Sequence, residues 1–358
     1  MKIAYLLPRL DNKSSITLFK DLIPKLKQLN SNIEIDIYFF DNEVSLHFPH
    51  KTHKIDFFSG SIALNNYDIV HSSGIRPNVY VWLNKWRFGS NSRFVTTIHS
   101  FIYEDFKNQF SSFLAFLYTK MWLSLLNSQH AVVVLTEVAK TYYLDKIKSR
   151  IEVVNNGKGP LQNDLMSEED VKLMEAFVSK FSYVIGTHAV VSKIKGLDTV
   201  VKGLVTLKDY CFVIVGDGPE VESLKRLAQE LNVQNRILFI GFRKNIGSFF
   251  RFYDMYVMPS RSEGLPLALI EAVSSRTFCL TSDIPTFIEL FEDDEVPKFK
   301  LDDVDDFCKQ ILKYKDKFLI QERIEKAYIK YTNRYTDEVM ARNYYNLYLE
   351  LCKTVNSA

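Results

Sequence analysis

Short apolar runs alternate with amphipathic stretches along this chain, and near its middle the alternation stops at a cluster of turn residues and begins again. Runs at residues 2–7, 33–40, 68–71, 94–98 and 131–135 are separated by segments of helical length, such as 17–29. That is the pattern of a parallel sheet wrapped by helices. After a further run at 151–154 comes Asn155-Asn156-Gly157-Lys158-Gly159-Pro160, followed by a polar stretch through Asp170, a candidate domain boundary. Strand-like runs resume at 183–189, 211–215, 237–240, 255–258 and 277–280. At 358 residues the chain is too long for one ordinary core, so two doubly wound α/β domains with a cleft between them are expected. Their predicted limits are 1–155 and 156–335, with a helix over 336–358 packing back toward the first domain.

The formal net charge is only +2, from 45 basic and 43 acidic residues, so no global field argues for nucleic acid and any anion binding must be local. Cys211, Cys279, Cys308 and Cys352 lack C-x-x-C spacing, which suits buried thiols in a reducing compartment, the cytoplasm. The apolar run before Pro8 and Arg9 is too short for a signal peptide and reads as a first strand. The segment 110–126 contains Ser111, Ser112, Thr119, Lys120 and Ser124 and falls short of the ~20 apolar residues that span a bilayer.

Chemistry is sought in the loops after the strands, because open parallel sheets bind ligands at the carboxyl ends of their strands. From Met258 a strand runs into the polar loop Pro259-Ser260-Arg261-Ser262-Glu263-Gly264-Leu265, and a helix is predicted to begin near Pro266. Proline suits a first helical turn, and the amides around Gly264, Leu265 and Leu267 would present partial positive charge to a phosphate. Glu263 and Glu271 are carboxylates able to accept hydrogen bonds from the hydroxyls of a sugar and a ribose. Their spacing alone fits equally well a charge favouring the helix start and a solvated surface residue.

The context of these residues resembles the Glu-x7-Glu motif of the retaining family 4 glycosyltransferases, which have the GT-B fold of two Rossmann-like domains. Similar to that family in order are Gly186-Thr187-His188-Ala189, the turn Lys193-Ile194-Lys195-Gly196, the turn Gly216-Asp217-Gly218-Pro219, and Asn156-Gly157, Gly241 and Asp254. The resemblance covers roughly residues 150–290 and extends more faintly to Thr96-Thr97-Ile98-His99 and to the segment from Asp68 through His71 to Gly74. It implies that Lys195 binds the donor diphosphate, stabilising the charge that grows on it. It implies further that Glu271 holds the ribose, that Glu263 contacts the transferred sugar, and that His99 faces that sugar from the first domain. Ser260, Gly264, Leu265 and Gly216 are the remaining donor-side candidates. A lone histidine in or after a strand is otherwise a structural residue, the preferred reading of His71.

Two departures stand out. Many relatives carry an arginine five residues before the Lys195 position, where this chain has Val190, or Thr187 if Gly186 anchors the alignment; Arg243 and Lys193 are the candidates to replace its charge. The glycine-rich loop after the first strand is replaced by residues 8–15. Asp303-Val304-Asp305 matches a metal-binding Asp-x-Asp signature but precedes an amphipathic stretch and is read as a helix cap, so no metal is expected.

The resemblance thus implies an enzyme moving a hexose or N-acetylhexosamine, with retention, from a UDP- or GDP-sugar to a lipid-linked saccharide acceptor of a bacterial surface polymer. A catalytically degenerate paralogue acting as a binding partner in glycan assembly is the alternative. A dinucleotide dehydrogenase is disfavoured because Gly216-Asp217-Gly218-Pro219 lacks the third glycine of that fingerprint. Phe110, Phe113, Leu114, Leu117, Tyr118, Met121 and Trp122 recur at helical spacing, which fits either a helix lying on a membrane surface or an ordinary core stripe.

Overall fold

A computed structural model describes residues 1–11, 14–42, 44–57, 64–107, 109–161, 166–244, 246–314 and 317–353. The chain forms two compact units, one of residues 1–157 joined by the C-terminal segment from Thr336, the other of Lys158–Tyr335.

In the first unit the order is β1 (Lys2–Leu7), α1 (Ser14–Leu29), β2 (Glu34–Phe39), β3 (Lys51–Lys54), β4 (Ile69–Ser73), α2 (Ile75–Asn84), β5 (Arg93–Thr97), α3 (Ile102–Lys107), α4 (Ser112–Leu126), β6 (Ala131–Val134), α5 (Glu137–Leu144) and β7 (Arg150–Val153). The sheet runs β3-β2-β1-β4-β5-β6-β7, with every pairing parallel. The first five apolar runs became its inner strands, because a parallel strand covered on both faces is largely apolar, and the run at 151–154 became the edge strand β7. β3 breaks that rule: Lys51, Thr52, His53 and Lys54 are all exposed. It is an edge strand, where lysines discourage pairing with another chain, and apolar patterning could not have found it.

The second unit contains α6 (Glu168–Val178), β8 (Tyr183–His188), α7 (Leu197–Gly203), β9 (Tyr210–Val215), α8 (Val221–Glu230), β10 (Ile237–Gly241), β11 (Met255–Met258), α9 (Leu267–Ser274), β12 (Cys279–Ser282), α10 (Pro285–Leu290), β13 (Lys298–Phe299), α11 (Val304–Lys313) and α12 (Lys317–Arg334). Its sheet order is β10-β9-β8-β11-β12-β13. Asp303 caps α11, its Oδ1 accepting from the Asp306 amide at 2.9 Å.

The last helix, α13 (Asp337–Lys353), belongs to the first unit. Met340, Ala341, Tyr344, Leu347, Tyr348 and Leu351 enter the core built by β1, α1 and β2. Its tyrosines carry hydroxyls into that core, and these find partners. Tyr348 Oη lies 3.2 Å from Tyr5 Oη and 2.5 Å from His71 Nδ1. His71 Nε2 and Tyr344 Oη both reach Thr97 Oγ1, at 2.8 and 3.0 Å. His71 is fully buried, and burial pushes its pKa down to about 3. It is a neutral, hydrogen-bonded core residue joining α13 to the sheet.

Candidate active site

In an open parallel sheet the loops diverge where the strand order reverses, and ligands bind in the crevice left there. In the second unit that point lies between β8 and β11. After β8 the chain passes the exposed Val190 and makes a single 3-10 turn at Lys193–Lys195. Gly196 closes the turn with φ 63°, and a Cβ there would stand 2.0 Å from the Pro259 carbonyl oxygen. Only glycine tolerates both constraints, so the turn lies directly against the end of β11.

Arg261 braces this contact from the other strand. Its backbone amide donates to the Ile194 carbonyl at 2.7 Å. Its guanidinium donates to the Lys193 carbonyl, to Asp198 at 3.0 Å and to Asp302 at 2.9 Å. The hydrogen bond to Asp302 and the charge of Asp198 hold the Arg261 pKa above its usual value. Three acceptors on one rigid fork, with a fourth on the backbone amide, fix the position of the lysine turn relative to the acidic loop.

The consequence is a close polar cluster. Lys195 Nζ donates to Glu263 Oε1 at 2.7 Å, and Ser260 Oγ donates to the same oxygen at 2.7 Å. Behind it, Ser282 Oγ donates to the Ser260 carbonyl at 2.6 Å and Thr286 Oγ1 to the Glu263 carbonyl at 2.9 Å. The loop is therefore held by β12 and α10 as well as by its own ends. Gly264 and Leu265 follow, and Pro266 leads into α9 at φ −78°. The first amides of that helix have no acceptor within it, which makes its start an anion-seeking end.

Glu271 lies in the second turn of α9, its Oε1 3.7 Å from Lys158 Nζ. The side chains of Glu263 and Glu271 are only 10% and 12% exposed, so neither is the solvated surface charge that spacing alone also allowed. In the sequence Lys158 reads only as part of a turn cluster, since nothing local connects a turn lysine to a glutamate so far along the chain.

Gly216, with φ 137°, serves the site indirectly: a Cβ would sit 1.9 Å from the Ala189 carbonyl oxygen, so its absence lets the turn after β9 press on the loop after β8. Arg243 donates from Nε and one terminal nitrogen to the two oxygens of Asp170, both at 2.8 Å. A phosphate would compete with that carboxylate for its charge. Lys193 is exposed and gives its carbonyl to Arg261. In the first unit, His99 Nε2 lies 3.0 Å from Ser73 Oγ, and burial lowers its pKa to about 4. It is thus a neutral imidazole with one nitrogen already engaged. Ser73 was not singled out from the sequence. The residues 8–15 that replace a glycine-rich loop include 12 and 13, outside the described residues.

Two parallel doubly wound units, one carrying a lysine turn, an acidic loop and a helix start at its switch point, define the class: a GT-B glycosyltransferase. The fold matches the crystal structure of Anabaena Alr3699/HepE in complex with UDP and glucose, with a TM-score of 0.78 over 100% of both chains at 16% identity. A glycosyltransferase from Rickettsia africae matches with a TM-score of 0.75 over 98% of each chain at 20% identity. The first unit matches Glycosyltransferase Family 4 over residues 36–157, and the second matches Glycosyl transferases group 1 over 176–333. The chain belongs to this family of glycosyltransferases. It is 28% identical over 299 residues, 82% of each chain, to the O-antigen biosynthesis glycosyltransferase WclY of Escherichia coli. It is 35% identical over 113 residues, 31% of this chain and 29% of the relative, to an E. coli UDP-Gal:alpha-D-GlcNAc-diphosphoundecaprenol alpha-1,3-galactosyltransferase.

Proposed function

We propose that this glycosyltransferase moves a hexose or N-acetylhexosamine, with retention of anomeric configuration, from a nucleotide-diphosphate sugar to a lipid-linked saccharide during synthesis of a bacterial surface polysaccharide such as O-antigen. The observation that carries the donor half of this reading is the Lys195–Glu263–Ser260 cluster beside the start of α9. It sets a cation, a carboxylate and unpaired helix amides within one loop system. Lys195 takes the departing diphosphate, aided by the amides at Gly264 and Leu265. Glu271 takes the ribose hydroxyls and Glu263 the transferred sugar, and His99 in the first unit offers a neutral hydrogen-bonding nitrogen to substrate. Lys195 and Glu263 pair at 2.7 Å, so a bound donor must offer each of them a partner at least as good. The names of the O-antigen and diphosphoundecaprenol relatives support the acceptor half.

No metal enters this reading, since the lysine and helix start do the work of a divalent ion. The test is thermal-shift titration with UDP, GDP, ADP and CMP, with and without EDTA, because a ligand that binds only the folded state raises Tm. The expected result is a shift with one diphosphate, unchanged by EDTA and lost in Lys195→Ala. A shift with none of the four overturns the donor assignment. With a donor in hand, Lys195→Ala should lower turnover on the order of a hundredfold, and an inverted anomeric linkage by NMR would refute retention.

A further inference from the structure

In the first unit α2 and α4 pack together and leave much apolar surface uncovered. The face of α4 that meets the core carries Ala115, Thr119, Leu123 and Leu126. Its outer face shows Phe113 at 71% exposure, Phe116 at 50% and Met121 at 47%. At the end of α2 and in the turn that follows, Trp82 and Trp86 are 48% and 78% exposed. Residues that fitted a core stripe equally well on spacing are therefore largely turned to solvent. Several large apolar side chains exposed on two packed helices mark an interaction site.

The charges nearby say what kind. Between residues 69 and 136 the acidic side chains are Glu104 and Asp105 alone, against Arg76, Lys85, Arg87, Arg93, Lys107 and Lys120, in a chain that is otherwise balanced. Arg76 pairs with Asp41 and Arg93 donates to the Leu351 carbonyl, so these two are engaged within the unit. Others sit on the apolar surface itself: Lys120 Nζ lies 5.5 Å from the Phe116 ring centre, and the Arg87 guanidinium 5.9 Å from that of Trp86. A two-fold contact with a second copy would set these cations against their own counterparts. An anionic partner removes that conflict. The 15 residues of α4 extend about 22 Å, short of the ~30 Å hydrocarbon core. Among the described residues no helix is long and apolar enough to cross a membrane.

We propose that the α2–α4 face docks on an anionic lipid bilayer, with Phe113, Phe116 and Trp86 entering the boundary between headgroups and acyl chains. Lys85, Lys107 and Lys120 meet the anionic headgroups. Exposed tryptophan with a cationic surround suits that boundary. The inference stands on this surface and is independent of the donor site.

The experiment is co-sedimentation of the full chain with vesicles of phosphatidylcholine alone and of phosphatidylcholine mixed with phosphatidylglycerol. Binding is expected to the mixed vesicles and to weaken with salt. The Phe113→Glu/Phe116→Glu double variant should lose about tenfold or more in partitioning. Lys85→Gln and Lys120→Gln should each lose about fivefold, and they keep the test valid should the double variant fold poorly. Melting temperature checks folding in every variant, and the nucleotide shift separates this surface from the donor reading. Failure of the wild-type chain to bind anionic vesicles overturns the proposal. So does a wild-type dimer in light scattering that the double variant converts to monomer.

Discussion

Lys195 and Glu263 lie 68 positions apart in the chain and 2.7 Å apart in the fold. The residue types and their order were legible in the sequence, because a lysine turn before a helix and an acidic loop before another are local patterns. Arg261, which holds the two together, was not, since its partners Asp198 and Asp302 come from the first turn of α7 and from the turn before α11. Arg261→Ala should therefore weaken nucleotide binding about tenfold by calorimetry, while stability falls by no more than ~1 kcal/mol, as its pairs are partly solvated. Arg261→Lys should recover only part of the affinity, because lysine lacks the fork that reaches several acceptors at once. Equal affinity in all three proteins would show that the turn holds Lys195 without help. A second residue-scale consequence concerns pH. Burial pushes His71 and His188 down to about 3 and His99 to about 4, whereas all three titrate near 6.5 when unfolded. Below 6.5 the unfolded chain binds more protons than the folded one, so stability is full above that pH and falls as pH drops toward 4. Each buried imidazole contributes roughly 1.4 kcal/mol per pH unit in that window. Tm measured from pH 7 to pH 5 should fall, and His71→Gln should flatten the slope; an unchanged slope would mean that His71 protonates in place.

At the scale of elements, most strands that were read correctly are buried ones, where the run of residues is largely apolar. β3 escaped because an edge strand needs backbone partners more than apolar side chains. α4 was visible as a helix with a stripe, but which stripe faces water depends on where the rest of the unit stands. α13 was visible as a helix too, and the tyrosine hydroxyls it buries are paid for by His71, Thr97 and Tyr5, each on a different strand. Tyr348→Phe would remove the hydroxyl that meets both Tyr5 and His71 and leave their polar atoms short of a partner. A loss of about 1–3 kcal/mol in urea unfolding is expected, and a neutral result would mean that the core repacks around the missing oxygen.

For the molecule as a whole, the consequential feature is that the chain leaves the first unit after Gly157 and returns to it at Thr336. The first core is thus completed by a segment that follows the whole of the second unit in the chain. Truncation after Tyr335 should abolish the calorimetric transition of the first unit while the second unit, whose core uses none of α13, keeps its own transition. Survival of both transitions would show that β1, α1 and the sheet suffice alone. The sequence by itself determined the two doubly wound halves and the residue types of the lysine turn, acidic loop and helix start, because patterning and turn chemistry act over a few residues. Only the tertiary structure decided that Lys195 meets Glu263, that Lys158 meets Glu271, that Ser73 engages His99 and that the aromatic face of α4 looks outward, because each depends on segments brought together by packing across long separations.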